Sequence, residues 1–156
     1  MIHAGIYGAT GYAGRELVEI LCCHPEVSIS FAVSNSFVGK SLSDIYAGAP
    51  ALPLISAESV DFSIIDVVFL CLPHAASAPT AIKALEAGVR VIDLSADFRL
   101  NDAETYTEWY GVEHPAPELL DEAVYGLTEF SRETLADARL VAVPGCYPTS
   151  VLMGVK

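Results

Sequence analysis

The chain has 156 residues, is 53% hydrophobic and carries a formal net charge of -12 at pH 7. This length and composition predict one ordinary globular domain with a buried core, and they exclude a disordered tail. The negative charge argues against nucleic acid or an anionic membrane as a partner, because either needs a basic surface. No signal peptide is visible and no apolar run approaches the roughly 20 residues that span a bilayer, so we predict a cytoplasmic location.

The first predicted elements are a strand, a glycine turn and a helix. Residues Ile2–Tyr7 form a short apolar strand, and a helix is predicted from Arg15 to Cys23. In a dinucleotide site the first glycine of such a turn permits a sharp bend, the second lets the backbone approach a pyrophosphate, and the third lets the helix pack against the strand. We predict that the turn binds a cofactor through Gly8, Thr10, Gly11, Tyr12, Ala13 and Gly14. A tight turn without a ligand is the alternative.

The residues after the second predicted strand, Ser28–Val33, indicate which cofactor binds. An NAD site commonly has an acidic residue here for the ribose 2′-hydroxyl. This chain instead has Ser34-Asn35-Ser36 and then Lys40, which would hold a 2′-phosphate by hydrogen bonds and charge. The pattern favours NADP, with a solvated loop as the alternative.

The middle of the chain continues the alternation of strands and helices. Strands are predicted at Val67–Leu72 and Val89–Leu94, with a helix of about Ala75–Ala87 between them, whereas 39–58 is predicted to be a loop with a short strand near Leu54-Ile55. Apolar strands that alternate with helices are typical of a parallel, doubly wound α/β sheet of Rossmann type with helices on both faces.

Two groups of polar residues follow these strands. Leu72, Pro73 and His74 come at the carboxyl edge, where open α/β sheets bind ligands, so we predict that they line the cofactor; a simple turn is the alternative. Arg99 follows the next strand. It would bind a substrate carboxylate or phosphate, or pair internally with Asp93 and Asp97.

The later helices are predicted from their capping residues. Asn101 to Trp109 reads as a short helix capped by Asn101 or Asp102, and Ser131 to Asp137 as another with Ser131 as its cap. His24 and His114 adjoin prolines and are predicted to be solvated.

A cysteine lies at the predicted start of the last helix. The apolar run 140–143 is followed by Pro144-Gly145-Cys146-Tyr147-Pro148, with Pro148 predicted near the first helical position. Unpaired amides at a helix N-terminus favour a thiolate, so Cys146 is a candidate nucleophile. A buried, inert side chain is the alternative. The other cysteines, Cys22, Cys23 and Cys71, show neither secreted-framework nor zinc spacing, and no metal site is predicted.

Together these residues resemble the N-terminal part of the N-acetyl-γ-glutamyl-phosphate reductase family, within the aspartate-semialdehyde dehydrogenase superfamily. The resemblance runs nearly end to end, through Gly8-Ala9-Thr10-Gly11-Tyr12-Ala13-Gly14, His24-Pro25-Glu26, Leu72-Pro73-His74, Asp93-Leu94-Ser95-Ala96-Asp97-Phe98-Arg99, Tyr125-Gly126-Leu127-Thr128-Glu129 and Pro144-Gly145-Cys146-Tyr147-Pro148-Thr149. One departure is Val143, where the family usually has Asn.

The resemblance implies an oxidoreductase of arginine biosynthesis. Cys146 would attack the γ-acyl phosphate of its substrate, phosphate would leave, and the thioester would accept hydride from NADPH to give the semialdehyde. A thioester suits this reaction because it stays electrophilic, and helix amides would steady the oxyanion. The substrate contacts that the resemblance implies are Ser95, Arg99, Tyr125, Glu129 and Tyr147.

The resemblance also implies a division of the protein. We expect residues 1–145 to form the NADP-binding domain, and 146–156 to be the nucleophile turn and the start of the helix leading to a second domain, absent from this chain. That domain would supply the histidine acid/base, most substrate contacts and a homo-oligomer interface, so this fragment is predicted to be inactive alone. An aspartate-semialdehyde dehydrogenase-like enzyme and a noncatalytic NADP-binding module are the alternatives.

Overall fold

The computed structural model describes residues 1–155, which form two compact units, one from Met1 to Cys71 and one from Leu72 onward. Each unit is built of parallel strands that are connected along the chain by α-helices or by short 3-10 helices. This arrangement confirms the predicted parallel α/β class.

The first unit contains four parallel strands and one α-helix. The strands are β1 (Ile2–Tyr7), β2 (Val27–Val33), β3 (Leu54–Ile55) and β4 (Val67–Leu70), and the helix is α1 (Tyr12–Cys22). β1 pairs with both β2 and β4, and β2 pairs with β3. Tyr7 is in register with Val33 and with Leu70, so the turns that follow these three strands begin at the same edge of the sheet.

Helix α1 packs through one apolar face. Gly14, Val18 and Leu21 are buried at helical spacing, and Val18 and Leu21 join a core formed with residues of β1, β2 and the 42–54 segment. The remaining members of that core are Ala4, Ile6, Ala9, Ala32, Leu42 and Leu54. The helix begins at Tyr12, three residues before the predicted start at Arg15, because the backbone turns helical directly after Gly11.

The described part of the second unit contains three parallel strands and four α-helices. The strands are β5 (Arg90–Asp93), β6 (Val124–Tyr125) and β7 (Leu140–Ala142), and the helices are α2 (Ala78–Glu86), α3 (Ala103–Tyr110), α4 (Thr128–Leu135) and α5 (Cys146–Val155). β7 pairs with both β5 and β6. Asp93 and Tyr125 are both in register with Ala142, so the segments after all three strands start at one edge.

Several predicted boundaries in this unit are wrong, each for a local reason. Helix α2 starts at Ala78 and not at Ala75, whose φ of 63° is left-handed. Helix α4 starts at Thr128, and the predicted cap Ser131 lies inside it at a kink with φ of -120°. Helix α5 starts at Cys146, so Pro148 is its third residue. Of the two predicted caps of α3, the structure uses Asp102, whose carboxylate accepts the Thr105 amide hydrogen.

Candidate functional site

The glycine turn between β1 and α1 has two glycines that the fold itself requires. Gly8 has a φ of 71°, and a Cβ on it would overlap the carbonyl oxygen of Cys71. A Cβ on Gly14 would overlap the carbonyl oxygen of Gly8. Backbone packing within the first unit therefore explains both residues without a ligand.

Gly11 has no such internal reason. A Cβ there would approach no atom closer than 3.4 Å, and its φ of -78° suits any residue. Helix α1 begins immediately after it, with no side-chain cap and no acidic residue in the first turn. Tyr12 and Ala13, the first two residues of α1, are exposed. This open helix start fits a pyrophosphate, which would use the space that a side chain at Gly11 would fill.

The outer part of the turn is held by three contacts. The hydroxyls of Thr10 and Ser34 are hydrogen-bonded (2.9 Å), and the Tyr46 hydroxyl donates to the carbonyl oxygen of Thr10 (2.6 Å). The Arg15 guanidinium lies 4.9 Å from the centre of the Tyr46 ring. Sequence reasoning missed Tyr46 and Arg15, because the hydrogen bond that brings Tyr46 to the turn joins it to Thr10, 36 positions away in sequence.

The predicted 2′-phosphate residues differ in their surroundings. Ser34 is buried, and its amide donates to the carbonyl oxygen of Ile55. Asn35, Ser36 and Lys40 are exposed just beyond the carboxyl end of β2. Ser34 therefore supports the glycine turn from behind, whereas the other three side chains can meet a ligand from solution.

The turn that follows β4 is fixed by Asp97. Pro73 and His74 are exposed and Leu72 is half-buried. The carboxylate of Asp97 accepts hydrogen bonds from the amides of Ala75, Ser77 and Ala78. The His74 ring stacks against Tyr110, with 5.7 Å between ring centres.

Asp93 and Ser95 form a buried pair at the end of β5. The Ser95 hydroxyl donates to Asp93 Oδ2 (2.7 Å) and its amide to Oδ1 (3.1 Å). Burial raises the pKa of the Asp93 carboxyl, against the hydrogen bonds from Ser95, and the nearby charge of Asp97 raises it further. Ser95 is 5% exposed, which favours a role in holding this loop.

Arg99 binds backbone carbonyls. Its Nε donates to the carbonyl oxygen of Val143 and its Nη2 to that of Leu94, both at 2.8 Å. A Cβ on Gly145 would lie 3.2 Å from Nη1, so the guanidinium lies against the turn that precedes Cys146. Within the described residues Arg99 forms no ion pair with Asp93 or Asp97, so that alternative is wrong.

Cys146 is the first residue of α5, and its side chain is exposed. The alternative of a buried cysteine is therefore wrong. The Thr149 amide donates to Gly145, and Pro148 has no N–H. The amides of Cys146 and Tyr147 donate to no group in the described part of the chain, which leaves two backbone donors beside the sulfur.

The remaining predicted substrate residues lie near the same strand ends. Tyr125 ends β6 and is half-buried, and Glu129 is exposed in the first turn of α4. Tyr147 is 84% exposed beside Cys146.

One prediction about the histidines is wrong. His114 is 7% exposed, and its Nδ1 accepts the Ala116 amide hydrogen while its Nε2 lies 2.7 Å from the carbonyl oxygen of Asp97. The neighbouring proline does not expose this ring, because both nitrogens find partners inside the fold. His24 is exposed, as predicted.

Residues 1–155 offer neither a metal-binding cluster nor a membrane-spanning helix. No group of three or more His, Cys, Asp or Glu side chains there is placed to hold a metal ion. None of the helices in this range combines the length and apolar character needed to cross a bilayer.

The glycine turn on a parallel sheet defines a Rossmann-type nucleotide-binding protein with an exposed cysteine at a later helix start. The chain belongs to the family described as semialdehyde dehydrogenase, NAD binding domain, whose model matches residues 3–138. The predicted dinucleotide-binding class is thereby confirmed.

Curated relatives confirm the resemblance that the motifs predicted. The chain is 51% identical over 152 residues to N-acetyl-gamma-glutamyl-phosphate reductase of Dehalococcoides mccartyi, covering 97% of this chain and 44% of that protein. It is 46% identical over 157 residues to the reductase of Nitrosomonas europaea, covering 99% of this chain and 46% of that protein. The chain thus spans less than half the length of these relatives.

Solved structures show the same fold. Aspartate semialdehyde dehydrogenase II of Vibrio cholerae in complex with ASA matches with a TM-score of 0.74 at 23% identity, over 100% of this chain and 45% of that one. Aspartate semialdehyde dehydrogenase of Candida albicans with NADP matches with a TM-score of 0.66 at 17% identity, over 100% of this chain and 46% of that one.

Proposed function

We propose that this chain is part of an NADP-dependent reductase that converts N-acetyl-γ-glutamyl phosphate to its semialdehyde through a thioester on Cys146. The observation that carries the proposal is the exposed cysteine at the first position of α5, beside two amides that have no partner in the described part of the chain. Relatives of 46–51% identity bear the reductase name and support the choice of substrate.

The first unit supplies the open helix start for the cofactor. Amides at the start of α1 would bind the pyrophosphate, while Asn35, Ser36 and Lys40 would hold the 2′-phosphate that distinguishes NADP from NAD. When bound, NADPH supplies the hydride that reduces the acyl group. Leu72, Pro73 and His74 are the cofactor contacts proposed for the second unit.

Cys146 would carry out the covalent step. Its thiolate attacks the acyl carbon, a C–S bond forms, the C–O bond to phosphate breaks, and phosphate leaves with the electron pair. The amides of Cys146 and Tyr147 would donate to the oxyanion that forms in this attack. Reduction of the thioester then breaks the C–S bond and returns the thiolate.

The substrate contacts are proposed from the family resemblance. Tyr147, Tyr125 and Glu129 would contact the substrate. Arg99 would do so through the N–H groups left on Nη1 and Nη2, since Nε and one N–H of Nη2 already donate to carbonyl oxygens. Ser95, buried against Asp93, would support the loop that carries Arg99.

The proposal extends to the whole protein. We propose a cytoplasmic homo-oligomer in which the part of the relatives outside the match completes the site, and a 156-residue chain that does not turn over acyl phosphate alone. Turnover by these residues without any other chain would contradict this point.

Activity is tested in the full-length protein. N-acetyl-glutamate semialdehyde, phosphate and NADP⁺ should give NADPH, and Cys146→Ser should abolish this reaction, whereas Cys22→Ser, a matched change of another exposed cysteine, should leave it intact. Preference for aspartate semialdehyde would favour the sibling enzyme. Binding of NADP with neither reaction would favour a noncatalytic module.

A further inference from the structure

Asp97 is completely buried and is the centre of a hydrogen-bond network within the second unit. Its carboxylate accepts from the amide of Ala75 (2.6 Å) and from those of Ser77 and Ala78 (both 3.0 Å). A fourth donor is the Tyr106 hydroxyl, at 3.0 Å. Three of the four donors therefore belong to one short stretch, the turn that carries His74.

This turn would not hold its shape by itself. Ala75 has a φ of 63°, a left-handed conformation that costs free energy in a residue with a Cβ. Ser77 precedes α2 without forming a side-chain cap. The carboxylate of Asp97 replaces that cap, because it accepts amide hydrogens at the helix start and its charge suits the positive end of the helix dipole.

The backbone of Asp97 is fixed by hydrogen bonds to Ser95 and His114. Its amide donates to the Ser95 hydroxyl (3.1 Å). Its carbonyl oxygen faces His114 Nε2, which carries the ring proton because Nδ1 accepts the amide hydrogen of Ala116. The position of the carboxylate is thus set by groups that do not belong to the turn.

The aromatic contacts of the same network also reach His74. Tyr106 donates to Asp97 and stacks on Tyr110, with 4.7 Å between ring centres, and Tyr110 stacks on His74. The backbone on one side of His74 and the ring of His74 are consequently both fixed by groups that contact Asp97 directly or through one neighbour.

We propose that Asp97 is a positioning residue for cofactor binding, which acts by holding His74 and its turn in the conformation that receives NADPH. The inference rests on the proposed function, because His74 is a cofactor contact only under that function. Asp97 is 0% exposed, so its carboxylate acts through its neighbours and not by touching the cofactor itself.

The test is the NADPH affinity of Asp97→Asn in the full-length protein. The amide keeps the size of the side chain but removes the charge and turns one acceptor into a donor that faces backbone N–H groups. We expect the Kd for NADPH to rise about tenfold, as for the loss of a charge-assisted hydrogen bond. The rate of Cys146 alkylation by iodoacetamide should stay unchanged, whereas general unfolding would lower it, because the helix start that favours the thiolate would be lost.

A double-mutant cycle separates positioning from general destabilisation. If Asp97 acts through His74, the Kd of Asp97→Asn/His74→Ala should equal that of His74→Ala alone. Asp61→Asn is the matched control, since Asp61 is an exposed carboxylate that likewise accepts a backbone amide at a helix start, and its Kd should match the wild type.

Each other result overturns the inference. An unchanged Kd in Asp97→Asn, or Kd effects that add in the double variant, would contradict Asp97 as a positioning residue while leaving the proposed function intact. If Asp97→Asn does not fold, Tyr106→Phe removes one donor from the same carboxylate and should raise the Kd by about twofold to threefold; no rise there contradicts the inference equally. A wild-type protein that does not bind NADPH overturns both.

Discussion

Arg99 and Val143 are joined by a hydrogen bond of 2.8 Å from Nε to the backbone carbonyl oxygen, 44 residues apart in sequence. The amide of Val143, the residue that follows β7, donates to the carbonyl oxygen of Asp93 at the end of β5. The backbone N–H and C=O of Val143 are thus both hydrogen-bonded, to Asp93 and to Arg99. Cys146 lies three residues further on. The position of the proposed nucleophile is therefore tied to the guanidinium of Arg99.

Replacing Arg99 by Lys should reduce kcat in the full-length protein. A single ammonium cannot bind the carbonyl oxygens of Val143 and Leu94 in the fork geometry of a guanidinium, so one hydrogen bond is lost and the turn before Cys146 loosens. We expect a decrease in kcat of about tenfold, from a charge-assisted bond of about 1.5 kcal/mol or more. Steady-state kinetics measure it.

Arg90→Lys is the matched control. Arg90 also donates to a backbone carbonyl, that of Ala136, but it does so at an exposed position. Its kcat should equal that of the wild type. Equal kcat values for wild type and Arg99→Lys would show that Arg99 does not position the turn.

The glycine turn allows ligand binding to be separated from packing. Gly11→Ala meets no close neighbour and keeps an ordinary φ, so the free energy of unfolding should change little while the Kd for NADPH rises. Gly14→Ala, in contrast, places a methyl group against the backbone of Gly8 and should destabilise the fold by about 1–3 kcal/mol. Denaturant unfolding and NADPH titration of both variants make the comparison. Unchanged NADPH affinity in Gly11→Ala would argue against a pyrophosphate at this turn.

The parts of the site that the sequence could predict are those that depend on residues close together in the chain. Gly8, Gly11 and Gly14 indicate the turn, and the run up to Cys146 indicates a strand followed by a helix start. Periodicity and turn chemistry are local, so the existence of these elements follows from short windows of sequence. Strand β6 was missed because two residues, Val124 and Tyr125, show no alternation.

What could not be predicted depends on contacts between distant residues. Nothing near Asp97 in sequence indicates that its carboxylate accepts the amide of Ala75, 22 residues away. Arg99 shows the same limit, since its two aspartate neighbours in sequence suggested an ion pair, whereas the fold turns the guanidinium toward carbonyl oxygens. His114 was expected in solvent because the buried partners of its ring are invisible in the sequence next to it.

Asp102 should stabilise the protein only when it is ionised. The Thr105 hydroxyl and then its amide donate to the carboxylate and lower the pKa of Asp102. Its contribution is therefore complete above the unfolded pKa of about 3.9 and disappears as pH falls through the lower folded pKa. Asp102→Asn should melt below the wild type at neutral pH and together with it in strong acid. A difference in melting temperature that does not depend on pH would contradict this assignment.

Asp93 should show the opposite dependence on pH. Burial is the largest cause and raises its pKa, so between the unfolded pKa of about 3.9 and the higher folded value the native state binds more protons than the unfolded state. Stability then falls as pH rises through this window, and the loss is complete above it. The side chain at position 93 carries no charge at any pH in Asp93→Asn. The melting temperature of this variant relative to the wild type should therefore increase through the window and stay constant above it. As pH rises through the acid range, the melting temperature of Asp102→Asn relative to the wild type should fall, whereas that of Asp93→Asn should rise. Melting curves of the two variants at matched pH values test this difference in sign. Slopes of the same sign would mean that the hydrogen bonds from Ser95 stabilise the Asp93 anion more strongly than burial destabilises it.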